Sequence, residues 1–119
     1  MKTWSTEFMI NSFKTTTDID FLQRWILVAS LIYYELNESM VDDKVYDQIA
    51  YKLVDLHKAH GDVNDTQYGY VFYDFDGTTG FDLFYQLNDE DKDRIRHIAY
   101  SVVRNLKAER TNKSIKKGR

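Results

Sequence analysis

Asp18-Ile19-Asp20-Phe21-Leu22-Gln23-Arg24-Trp25-Ile26-Leu27-Val28-Ala29-Ser30-Leu31-Ile32-Tyr33-Tyr34-Glu35-Leu36 carries a dense apolar pattern at helical spacing. Leu22, Trp25, Ile26, Ala29, Tyr33 and Leu36 recur at steps of three and four, the period of one helix face. Leu27, Val28 and Leu31 widen that face, which predicts a central, deeply buried helix. The preceding Thr15-Thr16-Thr17 is poor helix interior but a good boundary, with Asp18 placed to cap this helix.

Asn37-Glu38-Ser39-Met40 interrupts the pattern, and a second periodicity starts near Asp42 with Val45, Ile49, Leu53 and Leu56. It stops at Gly61, a residue that accepts the left-handed backbone of a helix end. His60 just before it suits the negative end of the helix dipole. The two predicted helices make an antiparallel hairpin. A shorter helix is expected over Thr3–Phe13, where Trp4, Phe8, Met9 and Phe13 share a face. Asn88-Asp89-Glu90-Asp91 reads as a capping box opening a last helix, whose core face is Ile95, Ile98, Ala99, Val102 and Leu106. No proline occurs to interrupt any of these helices.

Between them the texture changes. Tyr70-Val71-Phe72-Tyr73 and Phe81-Asp82-Leu83-Phe84-Tyr85 are aromatic and β-prone, and they flank the Asp- and Gly-rich turn Asp74–Gly80. This predicts a small β-hairpin, with an irregular loop ending in a short helix over 81–87 as the alternative. The expected fold is mainly α: about four helices in a single small domain, with an aromatic β-hairpin or irregular insert. Residues 1–110 form the globular part and 111–119 a basic, disordered tail.

Hydrophobic residues make up 43% of the chain and aromatic ones 15%, enough for a core filled largely by rings. With no cysteine there is no disulfide, no thiolate-bound zinc and no cysteine nucleophile, which fits a reducing compartment. No apolar run approaches the ~20 residues of a membrane span, and Met1–Thr6 lacks the apolar centre of a signal peptide. A cytoplasmic protein without membrane contact is expected. The net charge of −3 hides a split: from Arg104 onward there are seven basic residues against Glu109 alone. The rest of the chain then holds nine of the sixteen basic and eighteen of the nineteen acidic residues, an acidic body with a basic end.

The segment Ile32-Tyr33-Tyr34-Glu35-Leu36-Asn37-Glu38-Ser39-Met40-Val41-Asp42-Asp43-Lys44-Val45-Tyr46-Asp47 resembles the N-terminal domain of NAD-dependent DNA ligases. In that family two helices cradle the nicotinamide mononucleotide half of NAD. The resemblance implies that Tyr33 and Tyr46 stack on the nicotinamide ring and that Tyr34 lies near the phosphate. It also implies that Asp43 and Asp47 accept hydrogen bonds from ribose hydroxyls or the carboxamide. The chemistry is consistent, since a cationic pyridinium favours an aromatic face and a nearby carboxylate. Two residues depart from the family pattern: Asn37 stands where aspartate is usual, and Ser39 where proline is usual. The lysine-containing nucleotidyl-transfer motif is absent, so DNA ligation by this chain alone is not expected.

Other constellations carry less. Asp74-Phe75-Asp76-Gly77 starts like a calcium loop, but the closing glutamate position falls on Tyr85. His57, His60 and His97 have no third ligand at metal spacing. No nucleophile elbow or glycine-rich phosphate loop occurs, and no catalytic set is complete. Tyr73, Asp74, Asp76, Asp82 and Tyr85 are the candidates for an acidic, aromatic partner-binding face.

These features lead to three expectations. The first is a non-enzymatic binding protein that docks on a host protein, a nucleic-acid-binding one included, as inhibitors from phage or mobile elements do; this step is analogy. The second is a module that keeps a nicotinamide mononucleotide or NAD pocket. The third is a nucleic-acid accessory protein acting through its basic tail.

Overall fold

A computed structural model describes residues 10–61, 65–77 and 81–117, with side chains through 110. Among the described residues, four α-helices with both ends defined follow one another: α1 (Thr16–Tyr34), α2 (Asp43–His60), α3 (Phe81–Gln86) and α4 (Asp89–Lys117), with a 3-10 turn at Gly69–Val71. Residues 10–12 are helical, and the rest of the helix expected over Thr3–Phe13 lies outside the described residues. Helix α1 packs against α2, α3 and α4 alike. Its buried positions include Ile19, Leu22, Ile26, Leu27, Leu31 and Ile32, which point to more than one side of the helix. The central helix expected from the sequence is therefore the centre of the fold.

The start of α1 differs in detail from the expectation. Thr15 is the N-cap, and Asp18 sits three residues inside as the reciprocal half of a capping box. The Asp18 backbone N–H donates to Thr15 Oγ1 at 3.2 Å, while the Asp18 carboxylate accepts from the Thr15 and Lys14 N–H groups at 2.8 and 2.7 Å. Those two backbone hydrogen bonds, Thr15 first, hold the Asp18 pKa below the usual carboxylate value. A threonine caps here because its short side chain reaches back while its own N–H is still available to the carboxylate.

Helix α2 begins behind Asp42, whose Oδ1 accepts from the Val45 N–H at 3.0 Å. It buries Ile49, Ala50, Leu53 and Leu56 and ends at Gly61, where φ is 74° and ψ −170°. That backbone region is essentially reserved for glycine. Two side-chain pairs join α2 to α1 in antiparallel sense. The Gln23 amide meets His57 Nε2 at 3.2 Å, and Ser30 Oγ meets the Tyr46 hydroxyl at 3.1 Å. Gln23 is fully buried and its Oε1 also accepts from Thr66 Oγ1 at 2.6 Å.

The predicted β-hairpin does not form: there is no strand among the described residues of the aromatic insert. Tyr68, Val71 and Phe72 turn inward around the 3-10 turn, leaving Tyr70 and Tyr73 outside. Phe81–Gln86 is the short helix that stood as the alternative, and it buries Leu83 and Phe84. The reason is tertiary. An isolated two-stranded hairpin is marginal, whereas the flank of α1 offers apolar contacts to residues at helical spacing, overriding β propensity.

Asn88 caps α4, its Oδ1 accepting from the Asp91 N–H at 2.8 Å. The return half of the expected box is replaced by a relay. The Asn88 N–H donates to the Tyr70 hydroxyl at 3.1 Å, and that hydroxyl donates to the buried Asp91 carboxylate at 2.7 Å. Arg94 holds the other Asp91 oxygen at 3.0 Å. Ile95, Ala99 and Val103 form the buried seam of α4, with Ile98 and Val102 beside it. The helix runs on to Lys117, into the 111–119 segment expected to be a disordered basic tail; no glycine or proline interrupts it before Gly118.

The relay yields a pH-dependent expectation. Burial first, and the hydrogen bond to Asp91 second, raise the Tyr70 pKa, and burial likewise raises that of Tyr68. A raised phenol pKa contributes stability that is fully present below the unfolded value of about 10 and is lost as pH rises through the folded value. Tyr70→Phe should therefore lose about 1–2 kcal/mol at neutral pH. Relative to wild type it should also show a shallower stability loss above roughly pH 10, read by urea unfolding across that range.

Candidate functional site

The end of α1, the loop after it and the first turns of α2 enclose a cavity of about 320 Å³. Tyr33, Tyr34, Asp43, Tyr46 and Asp47 all line it. All five residues of the expected nucleotide pocket are thus brought together. Helical geometry explains why: Asp43 and Asp47 are one turn apart at the start of α2, opposite the last turn of the antiparallel α1.

The aromatic residues divide into two kinds. Tyr46 is half-buried, its ring 5.9 Å from that of Trp25 and its hydroxyl on Ser30. Tyr33 and Tyr34 are 48% and 53% exposed, so they are not core residues. Their rings meet edge-on at 4.9 Å, and Tyr34 also lies 4.9 Å from Phe81. Two exposed carboxylates at the mouth, with no basic side chain lining the cavity, favour a cationic or hydrogen-bond-donating ligand. Asp43 is not needed as a helix cap, because Asp42 fills that position.

Several lining residues escaped the sequence reading. Ala29 and Ser30 form the floor on α1, and Met40 and Val41 come from the loop. Gly77 also lines the cavity from the aromatic insert, far away in sequence. Its φ of 95°, and the 2.9 Å that would separate a Cβ from Tyr51 Cδ1, explain why glycine stands there. The Asp-Gly turn signal found the position but not its place beside α2.

The Asn37 departure also has a structural cause. Asn37 has φ 54°, the left-handed region that asparagine tolerates better than most residues. This bend lets the Glu38 N–H donate to the Ile32 carbonyl at 3.1 Å and closes the end of α1.

The candidate partner-binding residues are all exposed, but not as alternating positions of a hairpin. Tyr73 (67% exposed) and Asp74 occupy the turn after the 3-10 segment, and Asp76 the loop beyond it. Asp82 and Tyr85 lie on α3, three residues apart. Tyr85 packs edge-on to Phe81 and Phe84 at 5.1 and 5.4 Å, with Lys92 of α4 over its ring at 5.9 Å.

Among the described residues there is no group of three or more His, Asp or Glu able to hold a metal ion, and no helix long and apolar enough to cross a membrane. No protein-family model, curated protein or solved structure matches the chain.

Replacing Gly77 by Ala tests the cavity wall. The positive φ and the approach to Tyr51 should together destabilise the fold by about 1–2 kcal/mol, seen as a lower denaturant midpoint with unchanged slope.

Proposed function

We propose that this chain is a non-enzymatic binding module whose cavity between α1 and α2 takes a nicotinamide nucleotide, the mononucleotide or the corresponding half of NAD. The observation that carries the reading is the convergence of Tyr33, Tyr34, Asp43, Tyr46 and Asp47 on one cavity. The cavity volume lies at the lower end of the range for small-molecule sites, and its exposed rings and carboxylates match a positively charged aromatic head. In this reading Tyr33 and Tyr34 supply the stacking surface. Tyr46, fixed by Ser30, is the rigid back wall, and Asp43 and Asp47 accept from ribose or carboxamide groups. Isothermal titration with nicotinamide mononucleotide and NAD tests it. Saturable binding is expected, and Tyr33→Ala and Asp43→Ala should each weaken it by about tenfold or more, equivalent to ~1.4 kcal/mol, while thermal unfolding stays unchanged. No heat at millimolar ligand would reject the pocket.

A second reading is docking on a host protein, favoured by the exposure of Tyr73 beside Asp74 and of Tyr85 beside Asp82. Tyrosine with carboxylates is suited to a basic cleft on a partner, and salt would weaken the association. Changing Asp74, Asp76 and Asp82 together to Asn should lower partner capture from host lysate at low salt. Equal capture by wild type and variant would exclude this face.

A further inference from the structure

The cavity between α1 and α2 does not end at Tyr33 and Tyr34. Next to it lies an open groove of about 700 Å³ that reaches Leu106 and Arg110 of α4. Tyr33, Tyr34 and Ser39 line both hollows, so a ligand seated in the first can extend directly into the second. The charges of the two differ. The first presents Asp43 and Asp47, while the second holds the guanidinium of Arg110 together with the carboxylate of Glu38.

Arg110 is exposed and contacts Glu38 Oε2 through Nη2 at 3.0 Å. Among the described residues it makes no other hydrogen bond. A guanidinium carries five N–H donors in a planar fork that matches a phosphate, so one carboxylate contact uses little of it. Arg110 is the exposed member of this pair and Glu38 the partly buried one, so the outer edge of the guanidinium stays open to a phosphate monoester, which brings more charge and more acceptor oxygens to the fork. Glu38 is itself held in place by the left-handed turn at Asn37 and the hydrogen bond from its N–H to Ile32.

We propose that Arg110 is the phosphate-binding residue of an extended site, and that Glu38 is the internal anion occupying it when no ligand is bound. The proposal rests on the pocket reading above: a cationic or polar aromatic head sits near Asp43 and Asp47, and its phosphate passes the tyrosine pair to reach α4. The ligand class is an aromatic nucleoside monophosphate or a dinucleotide, not a free base or a nucleoside. Glu38 and Arg110 then act in opposite directions on binding, which a purely structural ion pair would not do.

Titration of the full chain with nicotinamide mononucleotide and with its dephosphorylated riboside separates the outcomes. Wild type should bind the mononucleotide about tenfold more tightly than the riboside, a difference of ~1.4 kcal/mol. Arg110→Gln should bring the mononucleotide down to the riboside level, and Glu38→Gln should tighten the mononucleotide while leaving the riboside unchanged. Equal wild-type affinities for the two ligands would overturn the phosphate site and leave the pocket reading standing. So would a loss of affinity for both ligands in both variants, the signature of a loop strap. Absence of binding by either ligand to wild type rejects the pocket reading, and the phosphate site falls with it. Thermal unfolding of both variants confirms that the fold is intact in each comparison.

Discussion

Helix α1 is apolar around most of its circumference, and the other helices are arranged to cover it. Ile26, Leu27, Leu31 and Ile32 are all fully buried although consecutive helical residues point about 100° apart. A helix of this kind cannot leave a side to water, so three further helices are needed around it. Apolar burial is non-directional and does not by itself fix how α2 slides along α1. Gln23 and Ser30, the polar residues buried on α1, supply that information through His57 and Tyr46. Two hydrogen bonds about two turns apart act as register pins, and a slip of one turn would leave buried polar groups without their partners.

That register is what creates the cavity. Burial on α1 stops between Ile32 and Tyr33, where the hollows on either side of the tyrosine pair begin. Tyr33 and Tyr34 share the first of these with the opening turns of α2, where Asp43 and Asp47 stand. The loop between the helices is closed by Asn37 and Glu38, so the same few residues terminate α1, shape the mouth and connect it with α4. The site is a by-product of how the hairpin ends rather than an addition to it.

Much of this was legible in the sequence where the physics is local. The three-and-four spacing identified α1, α2 and α4, and the motif over residues 32–47 selected the five side chains that line the cavity. What was not legible depends on distant partners. Tyr70–Tyr73 and Phe81–Tyr85 carry β-prone residues, and only the presence of α1 decides that they become a 3-10 turn and a short helix. Gly77 announced a turn but not a cavity wall. Arg110 looked like the edge of a basic tail, and its ion pair with Glu38 joins residues 72 positions apart.

The Tyr70 hydroxyl ties the aromatic turn to the start of α4. It completes the cap of the longest helix from a residue that lies in the 3-10 turn, eighteen positions before Asn88. Helix nucleation is the slow, unfavourable part of helix formation, and here its signal is split between two segments. Asn88 still caps α4 locally through the Asp91 N–H, so Tyr70 adds to the cap rather than replacing it. A ligand or partner that holds the aromatic turn in place therefore also strengthens the first turn of α4.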